Sequence, residues 1–174
     1  RSLASVDAAR FGISPLWVYS IMRQESRYKP RQISHTAALG VMQMIPKTAK
    51  IVGSALGLPF VVERFFEPGE NLLFCTYYLA ALLREFKGAI VFASAAYNGG
   101  APAITRFMKR DKGLPFDEMV EQIPYNESRN YARKVAEHLV RYAYLYLDPA
   151  PRRQLLATIF PDQVDYDLLG EVDY

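Results

Sequence analysis

Glu25 is the side chain in this sequence whose surroundings best suit acid–base chemistry. Helical spacing over residues 14–28 places it on an apolar face that also carries Trp17, Val18, Ile21, Met22 and Tyr28. A carboxyl group among apolar neighbours resists ionisation, so we expect the pKa of Glu25 to be raised. A carboxyl group that remains protonated near neutral pH can serve as a general acid. The spacing also allows a structural role, in which Glu25 lies at the edge of this face and pairs with an arginine.

Gln43 and an Asn-Gly-Gly turn are two further places where polar groups interrupt apolar sequence. Gln43 lies within residues 40–46, which are otherwise apolar, and a buried amide must find hydrogen-bond partners. Gln43 is therefore either a structural brace or a ligand contact. Tyr97 and Asn98 end an apolar helical segment at the turn, and residues 125–131 begin a long helix. Both places are suited to lining a cleft between helices.

The elements that must position these residues are predicted to be helices. The apolar pattern predicts seven, at residues 2–10, 14–28, 46–53, 71–86, 89–97, 102–109 and 127–147. Ser14 and Pro15 suit the start of the second helix, whose polar face is predicted to carry Ser20, Arg23, Gln24, Ser26 and Arg27. Loops are expected at residues 29–39, 54–69 and 111–126, and no segment shows the alternation typical of a strand. The sequence therefore predicts an all-α domain.

The composition indicates a globular domain. A chain of 174 residues is long enough for one domain with a substantial core, and 51% hydrophobic against 22% charged residues excludes a disordered chain. The longest apolar runs are far too short to span a bilayer. The chain begins at Arg1 without a basic-then-apolar leader, so we expect a processed chain or an excised fragment.

The charge is unevenly distributed along the chain. Residues 162–174 contain five acidic residues and no lysine or arginine, so their removal from a net charge of +3 leaves the rest at +8. A basic body suits an anionic polymer, which can be nucleic acid, a membrane surface or a carboxylate-bearing glycan. The sequence has no zinc finger, Gly-rich phosphate loop or RNA-recognition signature, which argues against nucleic acid. A solvated basic face with no partner explains the charge equally well.

Cysteine and histidine are too few for a zinc site. Cys75 is the only cysteine, and His35 and His138 are the only histidines and lie far apart in sequence. No internal disulfide can form, and Cys75 lies in an apolar helical pattern that favours a small core residue over a nucleophile. We therefore expect neither a metal ion nor another cofactor.

Four short blocks, in this order, resemble the catalytic domain of the soluble lytic murein transglycosylases. In one-letter code they are RQES at residues 23–26, GVMQ at 40–43, AYNGG at 96–100 and IPYNESRNY at 123–131. The resemblance covers residues 13–146 and implies an all-α, lysozyme-like (goose-type-like) helical domain with a substrate groove. We accordingly expect a catalytic domain at residues 1–147, followed by an acidic C-terminal tail, residues 148–174, packed on it or extending from it.

The resemblance implies a lyase that acts on peptidoglycan. Such enzymes cleave the bond between N-acetylmuramic acid and N-acetylglucosamine and leave a 1,6-anhydromuramoyl end. Glu25 would be the single acid/base: it protonates the glycosidic oxygen and then takes the proton from the C6 hydroxyl, which closes on C1. The substrate's own N-acetyl group is implied to stabilise the intermediate cation. A lone carboxyl group suffices because the attack is intramolecular, whereas most glycosidases need two.

The resemblance also implies the substrate-binding residues, the partners and the location. Gln43 resembles a residue that hydrogen-bonds glycan, and Tyr131 a tyrosine whose hydroxyl lies near the catalytic glutamate. The full set implied to bind substrate is Ser34, Thr36, Met42, Gln43, Tyr97, Asn98, Glu127 and Tyr131. The implied partners are peptidoglycan glycan strands and further domains of a longer parent chain. We expect a monomer in the bacterial periplasm or cell envelope, and the sequence leaves open whether a missing N-terminal region associates it with the membrane.

Four positions depart from the family pattern. Ala37 replaces a glycine, which is expected to change the loop before the groove, and Ile45 replaces a frequent methionine. Gly99 replaces the usual alanine after Asn98, which is expected to add backbone freedom. Cys75 replaces a common helix glycine, which is expected to loosen or shift helix packing there. None of these changes removes a group that the chemistry needs.

Two other functions fit the same residues. A muramidase of goose-type-lysozyme character would use water and would need a second acidic residue, for which Glu63, Glu67 and Glu70 are candidates. A non-catalytic peptidoglycan-binding or scaffold module is the other alternative, against which the intact Glu25 argues.

Overall fold

Helices form almost all of the regular structure in this protein. The computed structural model describes residues 2–111 and 113–162, and within them extended structure is limited to isolated bridges between Ile33 and Leu39 and between Leu39 and Met44. The predicted all-α class is therefore confirmed. The chain divides into two compact units, which meet in sequence at residues 80 and 81.

The first unit contains three complete helices and the first part of a fourth. These are α1 (Leu3–Phe11), α2 (Pro15–Glu25), α3 (Pro46–Leu56) and α4 (Pro68–Glu85), with a 3₁₀ turn at Arg64–Phe66 before α4. Trp17, Val18 and Ile21 of α2 have no exposed surface, as their apolar spacing predicts. The rings of Phe65 and Phe74 pack edge to face, with centroids 5.5 Å apart.

The second unit is organised around α5 (Ile90–Gly99). Every residue of α5 from Ile90 to Ala96 is buried, and the small side chains among them let α6 and α8 pack closely. The other helices that the structure describes in this unit are α6 (Ala101–Arg110), α7 (Phe116–Glu121), α8 (Asn126–Tyr146) and α9 (Pro149–Ile159). Among the described helices, none is long and apolar enough to cross a membrane.

The end of α2 differs from the prediction. The helix was expected to continue to Tyr28, but it ends at Glu25, and Arg27 and Tyr28 adopt left-handed backbone conformations with φ of 52° and 67°. Tyr28 is consequently 39% exposed and lies off the apolar face. Ser20 and Ser26 were expected on the polar face, but both are buried. Burial of Ser20 is possible because its Oγ donates a hydrogen bond of 2.7 Å to the Leu16 carbonyl.

Two helices lie where no helix was firmly predicted. Residues 111–126 were expected to be a loop, but they contain α7, whose Met119 and Val120 are buried. The stretch after residue 148 begins with α9, whose Ile159 is buried. Most of the acidic segment of the expected tail, residues 163–174, lies outside the described part of the chain. The predicted boundary at residue 147 stays a prediction.

Candidate active site

Glu25 is the last residue of α2 and is half-buried. The C-terminal end of a helix carries partial negative charge, which disfavours an ionised carboxyl group at that position. The next residue, Ser26, is 6% exposed, and its Oγ donates a hydrogen bond of 2.7 Å to the carbonyl of Val41. The same oxygen accepts a hydrogen bond from the Lys29 amide at 3.1 Å. The chain around Glu25 is thereby joined to the loop that contains Gln43.

This loop, residues 39–43, is a tight turn. Leu39 and Met44 exchange backbone hydrogen bonds of 3.0 and 3.2 Å, and the Gly40 amide donates to the Gln32 carbonyl at 3.0 Å. Gly40 has a φ of 80° and Gln43 a φ of 52°, so the backbone enters the left-handed region twice. Glycine accepts such a conformation without strain, whereas glutamine does so only where its surroundings hold it.

Gln43 is held by its own side chain. Its Nε2 donates hydrogen bonds to the carbonyls of Gln32, at 3.0 Å, and of Gly40, at 2.7 Å. Both N–H groups of the amide are therefore used by backbone carbonyls, and Oε1 is the part of the amide that can accept a hydrogen bond from a ligand. The sequence left open whether Gln43 is a brace or a ligand contact. The structure shows the brace, and the ligand contact stays a prediction.

Met42 differs from the other predicted binding residues of the first unit because its side chain is fully buried. This burial indicates that the Met42 side chain packs in the interior and stabilises the loop, and that it does not contact a ligand directly. Ser34 and Thr36 lie in a turn before the loop, where their hydroxyls are 2.9 Å apart. The Ser34 hydroxyl also accepts hydrogen bonds from the amides of Thr36, at 3.2 Å, and Ala38, at 3.0 Å. Ser34 thus shapes this turn.

Asn71 is a residue that the sequence did not single out. It has no exposed surface, its Oδ1 accepts a hydrogen bond of 2.9 Å from the Met42 amide, and its Nδ2 donates one of 3.1 Å to the Leu39 carbonyl. In the sequence, Asn71 only marked the expected start of α4. The one sequence feature that could have indicated its role is a polar asparagine at the start of a strongly apolar helix.

In the second unit, two of the four sequence blocks come together. The Ser128 Oγ, near the start of α8, donates a hydrogen bond of 2.9 Å to Asn98 Oδ1, near the end of α5. A Cβ atom at Gly99 would lie 2.3 Å from this Oγ and 3.2 Å from Ser128 Cβ, so an alanine here would displace the Ser128 hydroxyl from its present position. A largely polar cavity of about 440 Å³ is lined at this place by Asn98, Gly99 and residues 124–128.

The remaining predicted residues of this unit lie around the same junction. Glu127 is exposed and lines the cavity, Tyr97 is half-buried, and Tyr131, one turn along α8, is 7% exposed. Arg129 holds the segment before α8, since its Nη1 donates to the carbonyls of Glu121 and Ile123 at 2.8 and 3.2 Å. The block at residues 123–131 therefore contributes structural residues as well as exposed ones.

A larger cavity in the second unit contains none of the predicted residues. It measures about 600 Å³, and its lining is mainly apolar, from Val91, Phe116, Val120, Ala136, Val140 and Phe160. Ion pairs between Arg133 and Glu121 and between Arg141 and Glu137 border it. Within the described residues, no group of three or more His, Cys, Asp or Glu side chains is placed to hold a metal ion.

Comparison with known proteins finds a matching family, similar sequences and similar structures. Residues 2–120 match the sequence model of the transglycosylase SLT domain family. The soluble lytic murein transglycosylase of Salmonella typhimurium is 31% identical over 135 residues, which are 76% of this chain and 21% of that protein. The structure resembles the 70 kDa soluble lytic transglycosylase of Escherichia coli, with a TM-score of 0.84, 27% identity, and coverage of 92% of this chain and 26% of that one.

A second solved structure is that of an inactive mutant of the lytic transglycosylase Slt from Pseudomonas aeruginosa, in which a glutamine replaces a glutamate. It has a TM-score of 0.76 and 29% identity, and it covers 95% of this chain and 25% of that chain. This chain thus spans about a quarter or less of the length of these relatives. The fold is the all-α, lysozyme-like fold that the resemblance led us to expect.

Proposed function

Because this chain belongs to the transglycosylase SLT domain family, we propose that it is the catalytic domain of a lytic murein transglycosylase. Its substrate would be the glycan strands of peptidoglycan, and it would act in the bacterial cell envelope. The relatives that carry this activity in their names are several times longer, so further domains of a parent chain would accompany it. The basic body of the chain suits a polymer that bears lactyl and peptide carboxylates.

The observation that carries this proposal is the hydrogen bond from Ser26 Oγ to the Val41 carbonyl. It joins two of the four sequence blocks, because Ser26 follows Glu25 and Val41 precedes Met42 and Gln43. The candidate acid, Glu25, therefore directly precedes a residue that this hydrogen bond anchors. The candidate glycan-binding amide, Gln43, lies two residues after Val41, the acceptor of the same bond. This arrangement is what an acid that must meet a glycosidic oxygen at a fixed position needs.

In the proposed mechanism Glu25 acts twice. Its carboxyl proton passes to the glycosidic oxygen as the bond from that oxygen to C1 of the muramoyl residue breaks. The resulting carboxylate then accepts the proton of the C6 hydroxyl, whose oxygen bonds to C1 and closes the 1,6-anhydro ring. Glu25 ends protonated, no water is consumed, and no second carboxyl group is required.

The other predicted residues would bind the sugars. In the first unit, Gln43 Oε1 would accept a hydrogen bond from glycan, Ser34 and Thr36 would offer hydroxyls, and Met42 would support the loop from below. In the second unit, the same role falls to Tyr97, Asn98, Glu127 and Tyr131. The polar cavity beside Asn98 and Glu127 supports this assignment, because hydrogen-bonding side chains lining a concave surface are typical of ligand sites.

The test is mass spectrometry of the muropeptides released from purified sacculi. We expect the parent chain to release products with 1,6-anhydromuramoyl ends, and Glu25→Gln to lower the rate by roughly 100-fold or more, because the amide cannot donate a proton of comparable acidity. A matched control is Glu137→Gln, which removes an exposed carboxylate of an ion pair on α8. If Glu25→Gln digests sacculi as fast as Glu137→Gln, the assignment of the acid is wrong.

The same measurement distinguishes the alternatives. Reducing muramic ends without the anhydro form would establish a hydrolase of the goose-type-lysozyme kind. Of the three acids available for that role, Glu70 forms an ion pair of 2.6 Å with Arg64 through its Oε2. A parent chain that binds sacculi and releases no product would establish a binding module.

A further inference from the structure

We propose that Asn71 is a positioning residue, which holds the loop at residues 39–43 in the conformation that presents Gln43. The inference rests on the proposed function of Gln43 as a glycan contact. Asn71 lies on α4, away from the predicted catalytic and binding residues in sequence, and acts through the loop backbone rather than by touching substrate.

The side chain of Asn71 holds the loop at both of its ends. Oδ1 accepts from the amide of Met42 at 2.9 Å, and Nδ2 donates to the carbonyl of Leu39 at 3.1 Å. Asn71, Met42 and Leu39 are all buried, so water cannot reach these backbone groups. The Asn71 side chain supplies the hydrogen bonds that they need. One amide side chain thus fixes the separation between the start of the loop and the residue immediately before Gln43.

Gly40 shows how closely Asn71 approaches this loop. A Cβ atom at position 40 would lie 2.3 Å from Asn71 Nδ2 and 2.8 Å from the Phe65 carbonyl oxygen. With a φ of 80°, Gly40 also needs the left-handed conformation that glycine adopts without strain. The Asn71 amide therefore occupies the space that any other residue at position 40 would need.

The loop is anchored to α2 as well. The Ser26 hydroxyl holds the Val41 carbonyl, while Asn71 holds the groups on either side of it, at Leu39 and Met42. The loop is therefore tied to α4 at Leu39 and Met42, and at Val41 to the residue that follows Glu25. Loss of Asn71 leaves Val41 attached to Ser26, but it frees the residue that leads into Gln43.

The chemistry of the two bonds requires an amide at position 71. Oδ1 must accept and Nδ2 must donate, and asparagine does both with one planar group. An ionised aspartate keeps the acceptor but turns a second oxygen towards the Leu39 carbonyl. A protonated aspartic acid again offers one acceptor and one donor. Leucine has the same branching and the same number of side-chain heavy atoms, and offers neither an acceptor nor a donor.

The test compares Asn71→Leu and Asn71→Asp with the parent and with a control, Thr76→Val. Thr76 lies on the same helix and is fully buried, and within the described residues its Oγ1 has no hydrogen-bond partner, so Val replaces it without loss of a bond. We expect kcat/KM on sacculi to fall roughly 10- to 100-fold in Asn71→Leu and to remain at the parent value in Thr76→Val. Each assay is run at a temperature at which circular dichroism shows the variant folded.

The pH profile gives a readout that general destabilisation does not move. We expect the ratio of Asn71→Asp to parent activity to rise as the pH falls, because the protonated carboxyl group restores the missing donor. The ratio for Asn71→Leu should stay flat with pH. Dividing by the parent activity removes the pH dependence that both proteins share. The ionisable groups near Asn71 are Cys75, one turn along α4, and Glu70, which pairs with Arg64, and all of them are present in both proteins.

Amide hydrogen exchange tests the loop independently of activity. In the proposed arrangement, the Met42 amide exchanges faster in Asn71→Leu and Asn71→Asp than in the parent, and at the parent rate in Thr76→Val. Unchanged Met42 exchange, parent-like kcat/KM in Asn71→Leu, or an equal activity loss in Thr76→Val would each overturn the role of Asn71. A parent chain that releases no muropeptide would instead refute the proposed function, and the exchange result would still decide the structural part.

Discussion

Ala37 has a φ of 62°, a backbone conformation that glycine adopts more readily than alanine. It lies in the turn that the Ser34 hydroxyl closes through the Thr36 and Ala38 amides. The departure from the family glycine at this position was expected to change the loop. The described backbone adopts a left-handed conformation there with a residue that is strained in it. The expected change of the loop stays a prediction.

Replacement of Ala37 by glycine should therefore stabilise the protein. We expect Ala37→Gly to raise the free energy of unfolding by about 0.5–1 kcal/mol, because relief of the strain exceeds the added entropy of the unfolded chain. Chemical denaturation measures the change. The neighbouring Ala38 is buried and is not among the residues with positive φ, so Ala38→Gly is a control that should destabilise. Destabilisation of similar size in both variants would contradict the strain at Ala37.

Asp7, on α1, is a second residue with a local energetic cost. Partial burial raises its pKa above the ordinary value of 3.8, and the nearby Arg10 offsets part of this effect. The folded state thus holds this proton more tightly than the unfolded state does. Ionisation of Asp7 consequently destabilises the fold. The cost is complete above the folded pKa, decreases as the pH falls through that value, and is absent below the unfolded value.

We expect Asp7→Asn to raise Tm at neutral pH and to leave it nearly unchanged at about pH 3, where the parent carboxyl group is already protonated. Thermal melts followed by circular dichroism at the two pH values measure this difference. In an Arg10→Gln background the gain at neutral pH should be larger, because the offsetting charge is absent. An equal rise in Tm at both pH values would exclude ionisation as the cause.

At the scale of elements, the contact between α5 and α8 explains Gly99. The φ of Gly99 is not in the left-handed region, and a Cβ atom there would meet Ser128 Oγ at 2.3 Å and Ser128 Cβ at 3.2 Å. The added backbone freedom expected from the sequence stays a prediction. Without a Cβ atom, the glycine leaves room for the Ser128 hydroxyl in its present position. Its presence permits the hydrogen bond from Ser128 to Asn98.

This contact predicts coupling between positions 99 and 128. We expect Gly99→Ala to destabilise by about 1–3 kcal/mol in the parent, because Ser128 must rotate and lose Asn98. In a Ser128→Ala background the same substitution should cost less, since only the 3.2 Å contact remains. A double-mutant cycle by chemical denaturation measures the difference. Additive effects of the two substitutions would show that the helices separate freely at this point.

At the scale of the whole molecule, the acidic segment lowers the positive net charge of the chain. Residues 162–174 carry five acids, and the chain without them has a net charge of +8 instead of +3. We expect a variant with these acids replaced by their amides to bind anionic sacculi more tightly than the parent at low salt. The difference should vanish at about 1 M salt, where charges are screened within roughly 3 Å. Co-sedimentation with sacculi measures binding, and a salt-independent difference would point to contacts other than charge.

The sequence predicted the class of the fold and most of its helices because long apolar faces recur at helical spacing. It missed α7, whose six residues are too few to show a period, and it left α9 as a helical or extended tail. It also placed the end of α2 three residues too late, because the burial of Ser26 depends on the Val41 carbonyl. That partner lies 15 residues away, so the local sequence pattern does not predict this contact.

The candidate site was partly predictable for the same reason. Glu25, Gln43 and Asn98 were identifiable because their polar groups interrupt apolar sequence or end it. Asn71 and Ser128 were not, since their roles depend on partners 29 to 32 and 30 residues away, some of them backbone atoms. Residue type indicates which groups can do chemistry, whereas the residues that hold them are found only from the folded chain.

Cys75 can report on the opening motions of the first unit. It is the only cysteine of the sequence and is fully buried, and its Sγ lies 3.9 Å from Asn71 Oδ1. A thiol reagent can label it only during transient opening of the first unit. The labelling rate therefore reports how often the interior beside the loop at residues 39–43 becomes accessible to solvent. The native chain thus contains its own kinetic probe at the place where the loop is anchored.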